Sequence, residues 1–96
     1  MLEKEIERYL KKGIKQLGGL CFKFVSPGTA GVPDRIILTK SGRVIFVELK
    51  TDTGVLSKLQ KYVIHTMTSR NADVRVLKGM NDVKAFLLEL ERSENK

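Results

Sequence analysis

The sequence predicts a small mixed α/β fold, and three observations carry that expectation. Leu2, Ile6, Leu10, Ile14 and Leu17 recur at helical spacing. Four short runs, "LCFKFV", "RIILT", "RVIFVELKT" and "DVRVLK", are rich in β-branched, aliphatic and aromatic residues. A helical segment between the last two of these runs makes a βαβ unit, which crosses over right-handedly. The expected order is α-β-β-β-α-β-α, a small mixed β-sheet flanked by helices, and the 96 residues amount to one domain, residues 1–96.

Taken in order, residues 2–17 form an amphipathic helix ended by Gly18 and Gly19. "LCFKFV" at 20–25 is the first strand, and the proline- and glycine-bearing stretch "SPGTAGVPD" at 26–34 is a loop. "RIILT" is the second strand, joined through a two-residue turn at Ser41-Gly42 to "RVIFVELKT". In that third strand Val44 and Phe46 share one face while Ile45, Val47 and Leu49 share the other, so it should be central and covered on both sides. "TDTGV" breaks the chain, and Ser57 caps a helix to about residue 70 with Leu59, Val63 and Met67 inward. "DVRVLK" at 73–78 is the fourth strand. Asn81 caps a last helix whose apolar face is Val83, Phe86, Leu87 and Leu90.

Composition narrows the function classes. A hydrophobic fraction of 42% suits a globular chain, and a domain of this size buries a modest core. No apolar run approaches the roughly 20 residues of a membrane span, and "MLEKEIERYL" lacks the pattern of a signal peptide, so an intracellular, cytoplasmic location is expected. The lone Cys21 excludes an internal disulfide and a thiolate zinc site, and its apolar setting reads as core. The lone His65 excludes a multi-histidine metal centre. A net charge of +7 favours a polyanionic partner, nucleic acid being the commonest, with Lys11, Lys12 and Lys15 the densest cluster.

Against this background three charges stand out. Glu48 and Lys50 point to the same face of the third strand and interrupt its apolar pattern, where stray charge is costly. Asp34 ends the loop feeding the neighbouring antiparallel strand, and a short hairpin sets the start of that strand beside the end of the next. Asp34 is therefore expected near Glu48 and Lys50. Two carboxylates and the backbone carbonyl of Leu49 offer hard oxygen ligands of the kind Mg²⁺ takes. A lysine beside them suits orienting or deprotonating a water, or stabilising charge on a phosphodiester in reaction. The same three residues also fit a plain ion pair at a strand end with Asp34 capping a turn, because the bare spacing is weakly specific.

"GVPDRIIL", "VIFVELK" and "LSKLQ", taken together, resemble the PD-(D/E)XK nuclease superfamily. More narrowly they resemble the VRR-NUC family, whose stand-alone members are often phage-encoded, and the likeness extends over nearly the whole chain. It implies a restriction-endonuclease-like core, with Asp34 and Glu48 as metal carboxylates, Lys50 as the catalytic lysine and Gln60 as a glutamine near the site. It also implies a glutamate on the first helix near the metal. Glu7 is favoured over Glu3, since its distance to Gly18 is similar to that in archaeal Holliday-junction resolvases of the same superfamily. As a bare pattern Glu7 also fits an ordinary surface pair with Lys11. Ser26, Gly28, Thr29 and Gly31 of the loop offer backbone N–H groups and hydroxyls to a DNA phosphate, and equally describe a surface loop without a ligand.

The implied function is a Mg²⁺- or Mn²⁺-dependent, structure-specific DNA endonuclease. A homodimer acting on branched DNA such as a Holliday junction is its sharpest form, since two symmetric cuts suit a two-fold pair. Two other classes share the basic charge: a DNA-binding module that keeps the nuclease fold without catalysis, and a basic protein-interaction adaptor.

Overall fold

The computed structural model describes residues 2–95. Its elements follow the expected order: α1 (Glu3–Gln16), β1 (Leu20–Lys23), β2 (Arg35–Leu38), β3 (Val44–Lys50), α2 (Lys58–Thr68), β4 (Asp73–Lys78) and α3 (Gly79–Glu94). The strands form one sheet in the order β1-β2-β3-β4. β1–β2 and β2–β3 are antiparallel and β3–β4 is parallel, as a helix-bearing crossover requires.

One face of the sheet carries the core. Ile37, Ile45, Val47, Leu49 and Leu77 point to it and are buried there by Ile6, Leu10 and Ile14 of α1 and Val83, Phe86 and Leu90 of α3. Each of these helices presents its apolar stripe at 3–4-residue spacing, so one strand parity and two helix faces meet in a single cluster. Leu17, Cys21 and Leu87 pack on its margin; Cys21 is half-buried there and not at the centre.

The second face is covered less than β3 predicts. Helix α2 packs on β4 but buries no residue fully, and Leu59, expected inward, is 48% exposed. The loop after β1 explains this. Gly31 lies so close to α2 that an added Cβ would stand 2.9 Å from Leu59 Cγ and 3.1 Å from Val63 Cγ2. Its φ of 88° also belongs to the region glycine adopts most readily. Loop backbone thus takes the space between the second face and α2 that side chains were expected to fill.

Two connections also differ from expectation. The β2–β3 turn has three residues, Lys40-Ser41-Gly42, with Thr39 N–H bonded to the Arg43 carbonyl and Gly42 N–H to the Thr39 carbonyl. The Thr39 hydroxyl, which accepts Arg43 N–H at 3.0 Å, lengthens the turn beyond the Ser41-Gly42 minimum. Helix α3 begins at Gly79, with no side-chain cap from Asn81. Asp82 holds its start, accepting the Lys78 N–H at 2.9 Å, and a carboxylate in the first turn also complements the helix dipole.

Candidate functional site

The hairpin brings the open end of β2 beside the end of β3. Arg35 pairs with Val47, so one step back places Asp34 beside Glu48. Asp34 Oδ1 accepts the Leu49 N–H at 3.2 Å, and Lys50 Nζ stands 3.4 Å from Glu48 Oε2. Asp34, Glu48 and Lys50 therefore stand together, on the sheet face opposite the core, as the alternation of side chains requires.

The two carboxylates sit where charge is disfavoured. Glu48 is only 5% exposed. Burial pushes its carboxyl above the ordinary range, the Asp34 charge pushes it further, and Lys50 opposes this in part. Burial likewise raises Asp34, against the Leu49 hydrogen bond and the Arg35 charge, which lower it; Glu3 adds to the rise. Two mutually repelling, partly desolvated carboxylates with one lysine against Glu48 are an under-compensated negative site.

Their donor chemistry fits a hard divalent cation, which takes carboxylate and carbonyl oxygens together with waters. The register supplies a third oxygen. Two steps beyond the Arg35–Val47 pair, Leu49 faces Pro33, which has no N–H to give the Leu49 carbonyl. The Leu49 N–H is turned to Asp34, and in an extended strand the carbonyl of the same residue projects to that same edge. Among the described residues no group of three His, Cys, Asp or Glu side chains is gathered for a metal, so Asp34 and Glu48 would hold such an ion with backbone and solvent oxygens.

Gln60 does two things. Its Oε1 accepts the Ser57 N–H at 2.9 Å while Ser57 Oγ accepts the Gln60 N–H at 3.1 Å, a complete capping box. Its Nε2 then donates to Glu48 Oε2 at 3.3 Å. One side chain starts α2 and holds a carboxylate of the site. Ser57 was expected to cap this helix, and the Ser-x-x-Gln spacing in the sequence also carried the signal for Gln60's half of the box.

The helix glutamates separate. Glu7 forms an ion pair with Arg35, whose side chain is buried beneath α1. Arg35 was not foreseen as part of the site. Its signal is parity: it shares the core-facing side with Ile37, where an arginine needs a carboxylate partner. Glu3, exposed on the first turn of α1, lies close enough to raise the Asp34 carboxyl. It is engaged in no ion pair among the described residues.

In the loop, Thr29 N–H is bonded to the Ser26 carbonyl at 3.2 Å across Pro27-Gly28, and Gly31 packs on α2. The Thr29 amide and the Gly31 position are thereby engaged in folding the loop. Gly28 at the turn tip faces open space.

A mixed four-stranded sheet with two desolvated carboxylates and a lysine at the β2–β3 end defines a class of compact α/β domain built around an acidic site. Comparison with known proteins makes this specific: the profile of the VRR-NUC domain matches residues 2–81, and the chain belongs to the VRR-NUC family. A solved structure described as a "VRR_NUC domain" is similar with a TM-score of 0.83 and 27% identity, over 88% of this chain and 92% of that one. A second, a "VRR_NUC domain protein", shares the fold with a TM-score of 0.73 at 18% identity, over 93% of this chain and 87% of that one. "Putative nuclease p44" of Acyrthosiphon pisum secondary endosymbiont phage 1 is 48% identical over 48 residues, which is 50% of this chain and 52% of that protein. The match thus spans about half the length of that phage relative. No helix among the described residues is long and apolar enough to cross a membrane.

Proposed function

We propose that this chain is a Mg²⁺- or Mn²⁺-dependent deoxyribonuclease that hydrolyses phosphodiester bonds. The observation that carries the reading is the under-compensated pair Asp34 and Glu48, with Lys50 against Glu48, in a chain of the VRR-NUC family. Asp34, Glu48 and the Leu49 carbonyl would hold the ion, which when bound would supply polarisation of the phosphodiester and a more acidic water. Lys50 orients the attacking water and stabilises negative charge developing on the phosphate. Gln60 fixes the Glu48 carboxylate through its amide. Arg35 fixes Glu7, which fits a positioning role for that pair, whereas Glu3 has no ion-pair partner among the described residues and is the helix carboxylate left to serve a metal.

The substrate we propose is branched DNA, a four-way junction in its most specific form, cut by a homodimer whose two-fold axis places two sites. The family and the phage nuclease relative support the nuclease reading, and the substrate and assembly extend it.

The test is a cleavage panel of junction, flap, splayed and linear duplex DNA with Mg²⁺, Mn²⁺ or EDTA, read beside sedimentation of the free protein. Expected are cleavage only with a divalent ion, preference for branched substrates, a dimer, and cleavage by Lys50→Ala lowered about 10²–10⁴-fold. Cleavage in EDTA would remove the metal mechanism. Binding with no cleavage under any metal would leave a DNA-binding module on a nuclease fold.

A further inference from the structure

The strongest feature the site does not use lies on the outer side of α1. Lys4, Arg8, Lys11 and Lys15 recur at i, i+4, i+7 and i+11 and are all exposed, so they form one stripe along the helix. A shallow groove there is lined by Lys4, Glu7, Arg8, Lys11, Lys12 and Lys15, five cations and one carboxylate. That carboxylate, Glu7, is held by Arg35. Among the described residues none of the five cations has a carboxylate partner within ion-pair distance. By contrast, Arg43 and Arg75 at the far end of β3 and β4 are tied to Asp73, Glu89 and Glu94. Other unpaired cations among the described residues, such as Lys40, Lys84 and Arg92, are scattered over the surface, whereas along α1 five stand within residues 4–15.

Its position on the helix gives it a direction. At 3.6 residues per turn, Glu3 and Glu7 fall between the buried stripe of Ile6, Leu10 and Ile14 and the basic stripe. Glu3 is felt by Asp34, and Glu7 is bonded to the residue beside Asp34. The basic stripe thus begins where the site ends. From Lys4 to Lys15 it extends roughly 16 Å at about 1.5 Å per residue, about five nucleotide steps at about 3.4 Å along one DNA strand.

We infer that this stripe is a phosphate track: the sugar-phosphate backbone of a double-stranded arm of the substrate lies along α1 as it leaves the catalytic site. The inference rests on the nuclease reading for its substrate, yet it concerns binding and is measured without cleavage. Lysines and arginines spaced along a helix neutralise phosphates without reading bases, so the track grips the arm whatever its sequence and leaves discrimination to the site.

The experiment measures duplex and junction affinity by fluorescence anisotropy over a range of salt, in EDTA, for the wild type and two triple variants. One removes three of the four stripe cations, R8Q/K11Q/K15Q; the other removes the same charge elsewhere, K40Q/K84Q/R92Q. Each phosphate contact contributes about 0.9 to the slope of log affinity on log salt, so the stripe variant should lose about 2.7 in slope. The control variant should keep the wild-type slope. A stripe variant with the wild-type slope, or an equal loss in both triples, overturns the track. The single variant Lys11→Gln, expected to lose about 0.9, decides the matter if circular dichroism shows the triple unfolded. Wild-type protein that binds through the stripe but cleaves nothing with Mg²⁺ or Mn²⁺ would overturn the nuclease reading and leave the track standing.

Discussion

The most informative single residues are the charges gathered at the site. Lys50 is one of them: its Nζ is 3.4 Å from Oε2 of the buried Glu48, and its side chain stays partly exposed. Lys50→Ala should reduce cleavage by about 10²–10⁴-fold, the range of a lost acid–base or charge-stabilising group. It should still bind Mn²⁺, because both carboxylates remain; isothermal titration of the metal checks the separation. Glu3 and Glu7 give a second contrast. Glu7→Gln leaves Arg35 buried without its partner and should lower stability by about 1–2 kcal/mol, between exposed and buried pairs. Glu3→Gln should leave the denaturation midpoint unchanged and weaken metal binding instead. Urea titration and metal titration on the two variants tell a positioning glutamate from a liganding one. Asp34, Glu48 and Lys50 were legible in the sequence because their alternation and the hairpin follow from local rules. The Glu7–Arg35 pair was not, because it depends on how α1 lies over the sheet, which no local spacing encodes.

Elements show the same division. All seven were recoverable from periodicity and strand composition, and their boundaries differ from expectation by a few residues where a side chain competes for the backbone. Thr39 extends the hairpin turn and Asp82 draws the start of α3 forward. The half-open second face was not legible, since it arises from loop backbone pressed on α2 at Gly31. Gly79 carries the clearest element-scale prediction. It opens α3 at φ 80°, and an added Cβ would collide with Asp52 Oδ1 in the loop after β3. Gly79→Ala should destabilise the chain by about 1 kcal/mol or more, since the backbone conformation is unfavourable for alanine and the Asp52 side chain must swing aside. The shift in urea midpoint measures it. Gln60→Ala removes both the capping box and the donor to Glu48. It should cost about 1 kcal/mol from the cap and lower cleavage about 10–100-fold, as outer-shell losses do. Gln60→Glu keeps the box geometry but sets a third carboxylate on Glu48, so it should recover stability less fully in EDTA than in Mg²⁺.

At the scale of the whole molecule, the raised carboxyl groups of Asp34 and Glu48 cost stability at neutral pH, and a bound cation would relieve that cost. Asp34 and Glu48 both have carboxyl groups raised above the ordinary range, so the folded state prefers them protonated more than the unfolded state does. The sign follows from proton linkage. Below the ordinary carboxylate range both states hold these protons and the two groups cost nothing. As pH rises through that range and then through the raised folded values, the unfolded chain releases its protons first, and stability is lost. Metal-free protein should therefore melt at a lower temperature at pH 7 than these two groups alone would allow in acid. Asp34→Asn keeps the Oδ1 acceptor for Leu49 N–H and removes the charge. In EDTA at pH 7 its melting temperature should rise above that of the wild type, and its melting curve should depend less on pH between 4 and 7. With Mg²⁺ the order should reverse. A ligand bound only by the folded chain stabilises it by RT ln(1 + [L]/Kd), about 2.7 kcal/mol at a hundredfold excess over Kd, and the variant lacks the carboxylate that binds it. Differential scanning calorimetry of both proteins, with EDTA and across a Mg²⁺ series, reads the inversion directly. A wild-type melting temperature that ignores Mg²⁺, or an Asp34→Asn variant less stable than the wild type in EDTA, would show that the two carboxylates are compensated from within the chain and are not held ready for a cation.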